Sequence, residues 1–323
     1  MRAAYVARYG PPEHVSIVEL PVPEPGPGEV LVRVEACAVT AGDARMRAGR
    51  FPRGFGLPAR LAIGLRGPRR HVLGVVLSGT VERVGPGAAR FAAGDSVAGM
   101  TGARCGAHAE YAVLRESALT ALPDGVSHED AAGVLFGGTT ALHFLRDRAG
   151  VAPGMSVLVN GASGAVGTSA VQLAAYFGAE VTAVTSAPNR ELVSRLGAVR
   201  AVDYRETPVE RIGDRLGERF DIVFDAVGNV SRAEGLRLAK PEGSVILAVA
   251  GLAETITARG RVFAGSSPER AEEFALLLGL LAEGRLDPVT EVLGGLDAVP
   301  KAHRRIDTGR KVGNLVVLPP LAD

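Results

Sequence analysis

A run of small residues, Gly161-Ala-Ser-Gly-Ala-Val-Gly167, separates the apolar segment Ser156-Val-Leu-Val-Asn160 from Thr168-Ser-Ala-Val-Gln-Leu-Ala-Ala-Tyr-Phe177. The first flank reads as a buried strand and the second as a helix, so the chain turns between them on residues with little or no side chain. Such a turn lets the backbone approach a ligand closely, and the free N–H groups that open the following helix favour an anion. The pyrophosphate of a dinucleotide meets both conditions. Ala162-x-Gly164-x-x-Gly167 keeps two of the three glycines of the G-x-G-x-x-G pattern, with alanine in the first place; the strand and helix on either side carry most of the reading.

With 323 residues the chain has room for two packed cores. A formal net charge of +1 gives no electrostatic case for nucleic acid or an anionic membrane as partner. No apolar run is long enough to cross a bilayer, and Arg8 cuts the N-terminal apolar stretch before a secretory core forms. A soluble, unprocessed, cytoplasmic protein is expected. Cys37 and Cys105, the only cysteines, can build neither a cysteine-rich metal lobe nor a disulfide framework.

The first part of the chain reads as β-rich, with short β-branched or alternating runs at 16–20, 29–38, 74–84, 96–98 and 108–113, punctuated by Pro21-Val-Pro-Glu-Pro-Gly-Pro-Gly28 and Gly85-Pro-Gly87. That spacing suits a barrel-like domain. After Leu122-Pro-Asp-Gly125 the pattern changes: Ser127 is a predicted helix N-cap, with Asp130 three residues on as a weaker relative of the capping box. Apolar strands at 180–185, 200–203, 220–224 and 244–249 then alternate with helices at 189–196, 208–216 and 231–238, the mark of a parallel sheet covered on both faces. A helix over 268–282, a strand at 288–292, a helix at 296–306 and a strand at 313–318 close the chain, and by pattern alone they extend either part. The stretch 54–70, rich in Gly, Pro and Arg, is predicted to be loop.

Gly28-Glu-Val-Leu-Val-Arg-Val34, Val81-Glu-x-Val-Gly85 with Phe91-x-x-Gly-Asp95, Gly138-Thr-Thr-Ala141, and the glycine turn followed by Val171-Gln-Leu-Ala174 together resemble the zinc-independent quinone oxidoreductase-like branch of the medium-chain dehydrogenase/reductase superfamily, over nearly the whole chain. The resemblance implies an α/β fold in which a Rossmann doubly wound parallel sheet, residues 123–265, is inserted in a GroES-like β-barrel catalytic domain formed by 1–122 and completed by 266–323. It also implies a homodimer paired through an edge strand at 260–264.

The superfamily's zinc alcohol dehydrogenases hold a catalytic metal at positions matched here by Thr40, Val75 and Phe136. A hydroxyl and two hydrocarbons do not replace thiolate and imidazole, so no metal is expected. After the second Rossmann strand, Val184-Thr-Ser-Ala-Pro-Asn-Arg190 offers no acid until Glu191 where an NAD enzyme places one on the ribose. The resemblance puts Ser186, Asn189, Arg190 and Tyr204 around a 2′-phosphate, making NADPH the expected cofactor. It puts Thr140, Ser163, Gly164, Ala165, Val166 and Val227 along the dinucleotide, and Lys311 and Asn314 near it.

The chemistry implied is hydride delivery to a small-molecule quinone or a carbonyl-activated alkene, as in enoyl reductases. In the family's active-site segment Thr40 stands for an asparagine, Asp43 is kept, and Phe51 stands for a tyrosine. Thr40 and Asp43 are the catalytic candidates, Asp43 being equally suited to capping. Phe51 has no phenol to give. That loss favours a competing reading, an NADPH-binding redox-sensing or structural protein without turnover. Of the histidines, His143 on an apolar helix reads as core, His71 as solvated, and His14, His108, His128 and His303 share no metal-ligand spacing.

Overall fold

The structure is a computed structural model and describes residues 1–319. Its first part holds seven strands: β1 (Arg2–Val6), β2 (Val15–Glu19), β3 (Glu29–Val39), β4 (Val76–Val84), β5 (Ser96–Met100), β6 (Tyr111–Arg115) and β7 (Leu119–Ala121). Two helices interrupt them, α1 (Ala41–Ala48) and α2 (Gly56–Ile63). The helix α2 overturns the expected loop at 54–70; it buries none of its residues, so no amphipathic stripe marks it in the sequence. β1 and β7 were also not legible, being short and flanked by turns.

The second part runs α3 (His128–Leu142), β8 (Ser156–Asn160), α4 (Ala165–Tyr176), β9 (Glu180–Thr185), α5 (Arg190–Arg195), β10 (Ala198–Asp203), α6 (Ile212–Leu216), β11 (Phe220–Asp225), α7 (Arg232–Leu238), β12 (Ala239–Leu247), α8 (Leu252–Thr257) and β13 (Val262–Ala264). The Ser127 hydroxyl accepts from the Asp130 N–H at 3.1 Å, the cap the sequence predicts. The chain ends with α9 (Ala271–Ala282), β14 (Thr290–Val292), α10 (Val299–Asp307) and β15 (Asn314–Val317).

Strands β8 to β13 form one parallel sheet in the order β10-β9-β8-β11-β12-β13. Val157, Leu158 and Val159 of β8 are fully buried, as expected for a central strand covered on both faces; each such side chain contributes roughly 1.5–3 kcal/mol. The order reverses between β8 and β11, which leaves a crevice beyond their carboxyl ends, the usual ligand position in a doubly wound sheet.

The other large sheet runs β14-β15-β3-β4-β5-β7, with β6 also on β3. Leu315, Val316 and Val317 pair antiparallel with Val39, Ala38 and Cys37. The chain's last strands therefore return to the sheet begun by its first hundred residues, resolving what pattern alone left open. This pairing brings 309–315 against the glycine turn, where the Gly313 N–H donates to the Ser163 carbonyl at 2.9 Å. No helix among the described residues is long and apolar enough to cross a membrane.

Candidate functional site

A cavity of about 860 Å³ lies between the two sheets. One wall is the glycine turn, the start of α4 and the carboxyl ends of β8, β9 and β11; the other is α1, Phe136 and Thr140 of α3, and the segment 306–315.

Each glycine of the turn has its own reason. Gly161 has φ +79, a left-handed conformation that side chains rarely adopt. A Cβ on Gly167 would lie 2.1 Å from the Gly161 carbonyl oxygen, so α4 docks on the turn only without one. On Gly164 a Cβ would meet nothing closer than that same oxygen at 3.5 Å. The space above Gly164 is thus open to the cleft, and Gly164 caps α4 with no side chain on its first N–H groups. That is a cradle for an anion, with the helix dipole behind it.

Beside the cradle, the polar groups hold one another. Ser163 Oγ accepts from Thr185 Oγ1 at 2.9 Å and from Asn189 Nδ2 at 3.1 Å, and Asn189 also reaches Ser186 Oγ at 3.2 Å. At the strand ends Asn160 Nδ2 donates to Asp225 Oδ1 at 2.8 Å and to Asn229 Oδ1 at 2.7 Å. Burial holds the Asp225 carboxyl above its ordinary range, although Asn160 and the N–H groups of Val227, Gly228 and Val230 oppose that shift.

Of the expected cofactor residues, Thr140, Ser163, Gly164, Ala165, Val166, Ser186, Asn189, Tyr204, Val227, Lys311 and Asn314 all line the cavity. Arg190 does not. Its Nη2 donates to Glu206 Oε2 at 2.9 Å, while its buried Nε has no partner among the described residues. Arg205, beside Tyr204, lines the cavity, with its guanidinium 5.9 Å from the Tyr204 ring centroid. Its signal in the sequence was adjacency to Tyr204. Lys311 is buried enough that its pKa falls to about 8, with Arg305 adding to the effect, and its Nζ donates to the Gly313 carbonyl.

On the opposite wall the Thr40–Asp43 pair is a capping box. Thr40 Oγ1 donates to Asp43 Oδ2 at 2.6 Å, the Thr40 N–H donates to the same oxygen at 2.8 Å, and the Gly74 N–H donates to Asp43 Oδ1 at 3.1 Å. Asp43 is fully buried and does not line the cavity, whereas Thr40 does. One carboxylate oxygen and the single hydroxyl proton are thereby engaged in starting α1, and the other oxygen ties the helix to Gly74. Phe51 does not line the cavity. Several charged residues missed in the sequence do, among them Arg45, Arg50 and Glu269. Burial raises the Glu269 carboxyl's pKa, with no other cause acting. They stand in no recognisable motif, so only the fold could gather them.

The histidines lie outside the cavity. His143 is half-buried with Nδ1 3.4 Å from Asp147 Oδ2, and His71 packs on Tyr5 with its Nδ1 3.0 Å from the Val6 carbonyl. Cys37 and Cys105 are buried and free, and burial raises both thiols, Cys105 to about 11. Among the described residues no cluster of three or more His, Cys, Asp or Glu is placed to hold a metal.

A parallel sheet of this order with an anion cradle at its switch point defines a dinucleotide-binding α/β protein. Two family descriptions match: "Alcohol dehydrogenase GroES-like domain" over residues 26–124 and "Zinc-binding dehydrogenase" over 165–279. A quinone oxidoreductase of Pseudomonas aeruginosa is 31% identical over 332 residues, covering 97% of this chain and 98% of its own. A solved structure described as an NAD-dependent alcohol dehydrogenase is 30% identical with a TM-score of 0.83, covering 98% of this chain and 99% of its own. A mycobacterial structure described as complexed with NADPH is 28% identical with a TM-score of 0.80, covering 99% of this chain and all of its own, 100%. The chain belongs to the medium-chain dehydrogenase/reductase superfamily, in its quinone oxidoreductase branch, a family of oxidoreductases.

Proposed function

We propose that the protein is a zinc-independent, NADPH-dependent reductase of a quinone or carbonyl-activated alkene. The observation that carries this reading is the open cradle over Gly164 at the uncapped start of α4, facing a second wall across the same cavity. Bound there, NADPH would supply a hydride. The turn and the first N–H groups of α4 would hold its pyrophosphate, and Ser186, Asn189, Tyr204 and Arg205 its 2′-phosphate; Arg190 is left out of that set. The nearby Asp203 carboxylate is spent on the N–H groups of Ala187 and Arg205 at 2.9 and 2.8 Å, so this acid is not offered to a ribose 2′-hydroxyl. Lys311 and Asn314 would close the cofactor side from the C-terminal segment.

Zinc independence is supported by the donor chemistry: Thr40, Val75 and Phe136 offer no thiolate or imidazole. Within the proposal Asp43 is a positioning residue that fixes Thr40 and α1. We place the domain boundaries at 122/123 and 265/266. A homodimer would pair β13, the outer strand of its sheet, which would otherwise be an open edge.

Mixing the protein with NADPH and a panel of quinones and enones tests the reading. Loss of NADPH absorbance with any of them supports it, with zinc below stoichiometric amounts by metal analysis. One observation favours binding without turnover: the Thr40 proton already goes to Asp43, and Phe51 is outside the cavity. Tight NADPH binding with no consumption across the panel would establish that alternative.

A further inference from the structure

Helix α1 presents Ala41, Ala44, Arg45 and Ala48 to the cavity, a stripe at i, i+3, i+4 and i+7. Three of these four side chains are methyl groups and the fourth is a guanidinium. Arg45 has no side-chain hydrogen bond or ion pair among the described residues, and burial alone pulls its pKa down. Arg47, two positions on and facing the other way, is the internal control. It is 1% exposed and paired: it donates to the Gly10 carbonyl and, at 2.6 Å, to Asp307 Oδ2, leaving only its buried Nε without a partner among the described residues. The same helix thus holds one arginine the fold has paired and one it has not. Arg50, just past the Gly49 cap, also lines the cavity without a partner among the described residues.

A guanidinium stays charged at any ordinary pH, so it cannot relieve desolvation by losing its proton. Half-buried beside alanines and without an ion pair among the described residues, Arg45 meets an arriving anion with no protein partner to displace. The cofactor's phosphates have donors on the other wall, in the glycine turn and Arg205. The acid next to α1, Asp307, is already taken by Arg47. Glu269, the other carboxyl of this part of the cavity, lies beside Gly102.

We propose that Arg45, with Arg50 at the rim, binds a fixed negative charge on the substrate, so that the substrate is a quinone or enone bearing a carboxylate, sulfonate or phosphate. The inference rests on the reductase reading above and narrows its substrate class.

The test compares naphthoquinone with its sulfonated derivative in wild type, Arg45→Gln and Arg45→Lys. Because the sulfonate also changes the ring's electrophilicity, the readout is the change in the ratio of kcat/KM values, not the ratio itself. A charge-assisted hydrogen bond lost in Arg45→Gln should lower the sulfonated-to-neutral ratio about 10- to 100-fold, with partial recovery in Arg45→Lys. Equal losses on both rings, or a ratio unmoved by the substitution, would overturn the proposal. So would a rise in the Kd for NADPH as large as the loss on the sulfonated ring, since Arg45 would then belong to the cofactor. Naphthalene sulfonate, which cannot be reduced, gives an arm independent of turnover. If neither quinone is consumed yet this probe binds wild type about tenfold or more tighter than Arg45→Gln, the reductase reading has failed and the anion site stands.

Discussion

The two walls of the cavity handle polar groups in opposite ways. On the sheet wall the side chains satisfy one another: Ser163, Thr185, Asn189 and Ser186 form one chain of hydrogen bonds, and Asn160, Asp225 and Asn229 another. On the α1 wall and in the core behind it, groups are left over. Arg45 and Arg50 have no partner among the described residues, and His303 is fully buried with neither ring nitrogen bonded. The difference teaches what each wall is for. The sheet wall is set largely by neutral groups in fixed geometry, with Arg205 its unpaired charge among the described residues, whereas the α1 wall sets Arg45 and Arg50 among alanines with no neutral network around them.

The largest break in this comparison comes from the turn. Gly164→Val puts a branched side chain into the open cradle and should weaken NADPH binding at least about 100-fold, a loss of charge-assisted contacts along the whole pyrophosphate, with the melting temperature little changed. Gly167→Val should instead fail to fold, because its Cβ meets the Gly161 carbonyl oxygen at 2.1 Å. Fluorescence titration and thermal melts separate the two; equal behaviour would mean that the cradle is structural only.

Acid should expose the incomplete core behind α1. Burial, helped by His108 and Arg47, lowers the His303 pKa to about 2. As pH falls below the ordinary histidine value of about 6.5 the unfolded chain takes up a proton that the folded chain refuses, so stability is full above that value and declines below it, by about 1.4 kcal/mol per pH unit from this group. His303→Leu should flatten the decline in urea melts across the acid range. An unchanged slope would show that His303 is satisfied by something such as water.

On the sheet wall, Arg205→Ala should cost NADPH about 10- to 100-fold in affinity and NADH far less, while Arg190→Ala, its guanidinium already on Glu206, should change both little. The reverse pattern in cofactor titrations would restore Arg190 to the phosphate pocket. Lys311 gives a smaller, pH-dependent effect. With a pKa near 8, it is charged below that value and neutral above it, so the Kd for NADPH should rise roughly five- to tenfold as pH climbs past about 8 to 10. Lys311→Met should abolish that rise.

Thr40→Ala should have the smallest effect. It removes one cap, about 1 kcal/mol of stability, and because the hydroxyl proton is spent on Asp43 the rate should fall by well under the 10²–10³ of a true oxyanion donor. A loss of that full size in steady-state kinetics would mean that Thr40 swings from Asp43 to the substrate.

The sequence by itself determined the frame. β8 and β9 fall where their apolar runs begin and end, and Ser127 caps α3, because a strand buried on both faces and a helix cap are written in neighbouring residues. The cradle was equally legible, since only small residues permit it. Tertiary structure alone decided which charges are spent. Thr40 and Asp43, the catalytic candidates, share a capping box, and the Gly74 N–H, 31 positions on, takes the other carboxylate oxygen. Arg190 reaches Glu206 while Arg205 lines the cavity, a distinction that no local pattern records. Arg45 and Arg47 are the same residue two positions apart, and what separates them is Asp307, 260 positions away. Local pattern fixes backbone shape, but whether a charge is paired depends on distant chain brought near by folding.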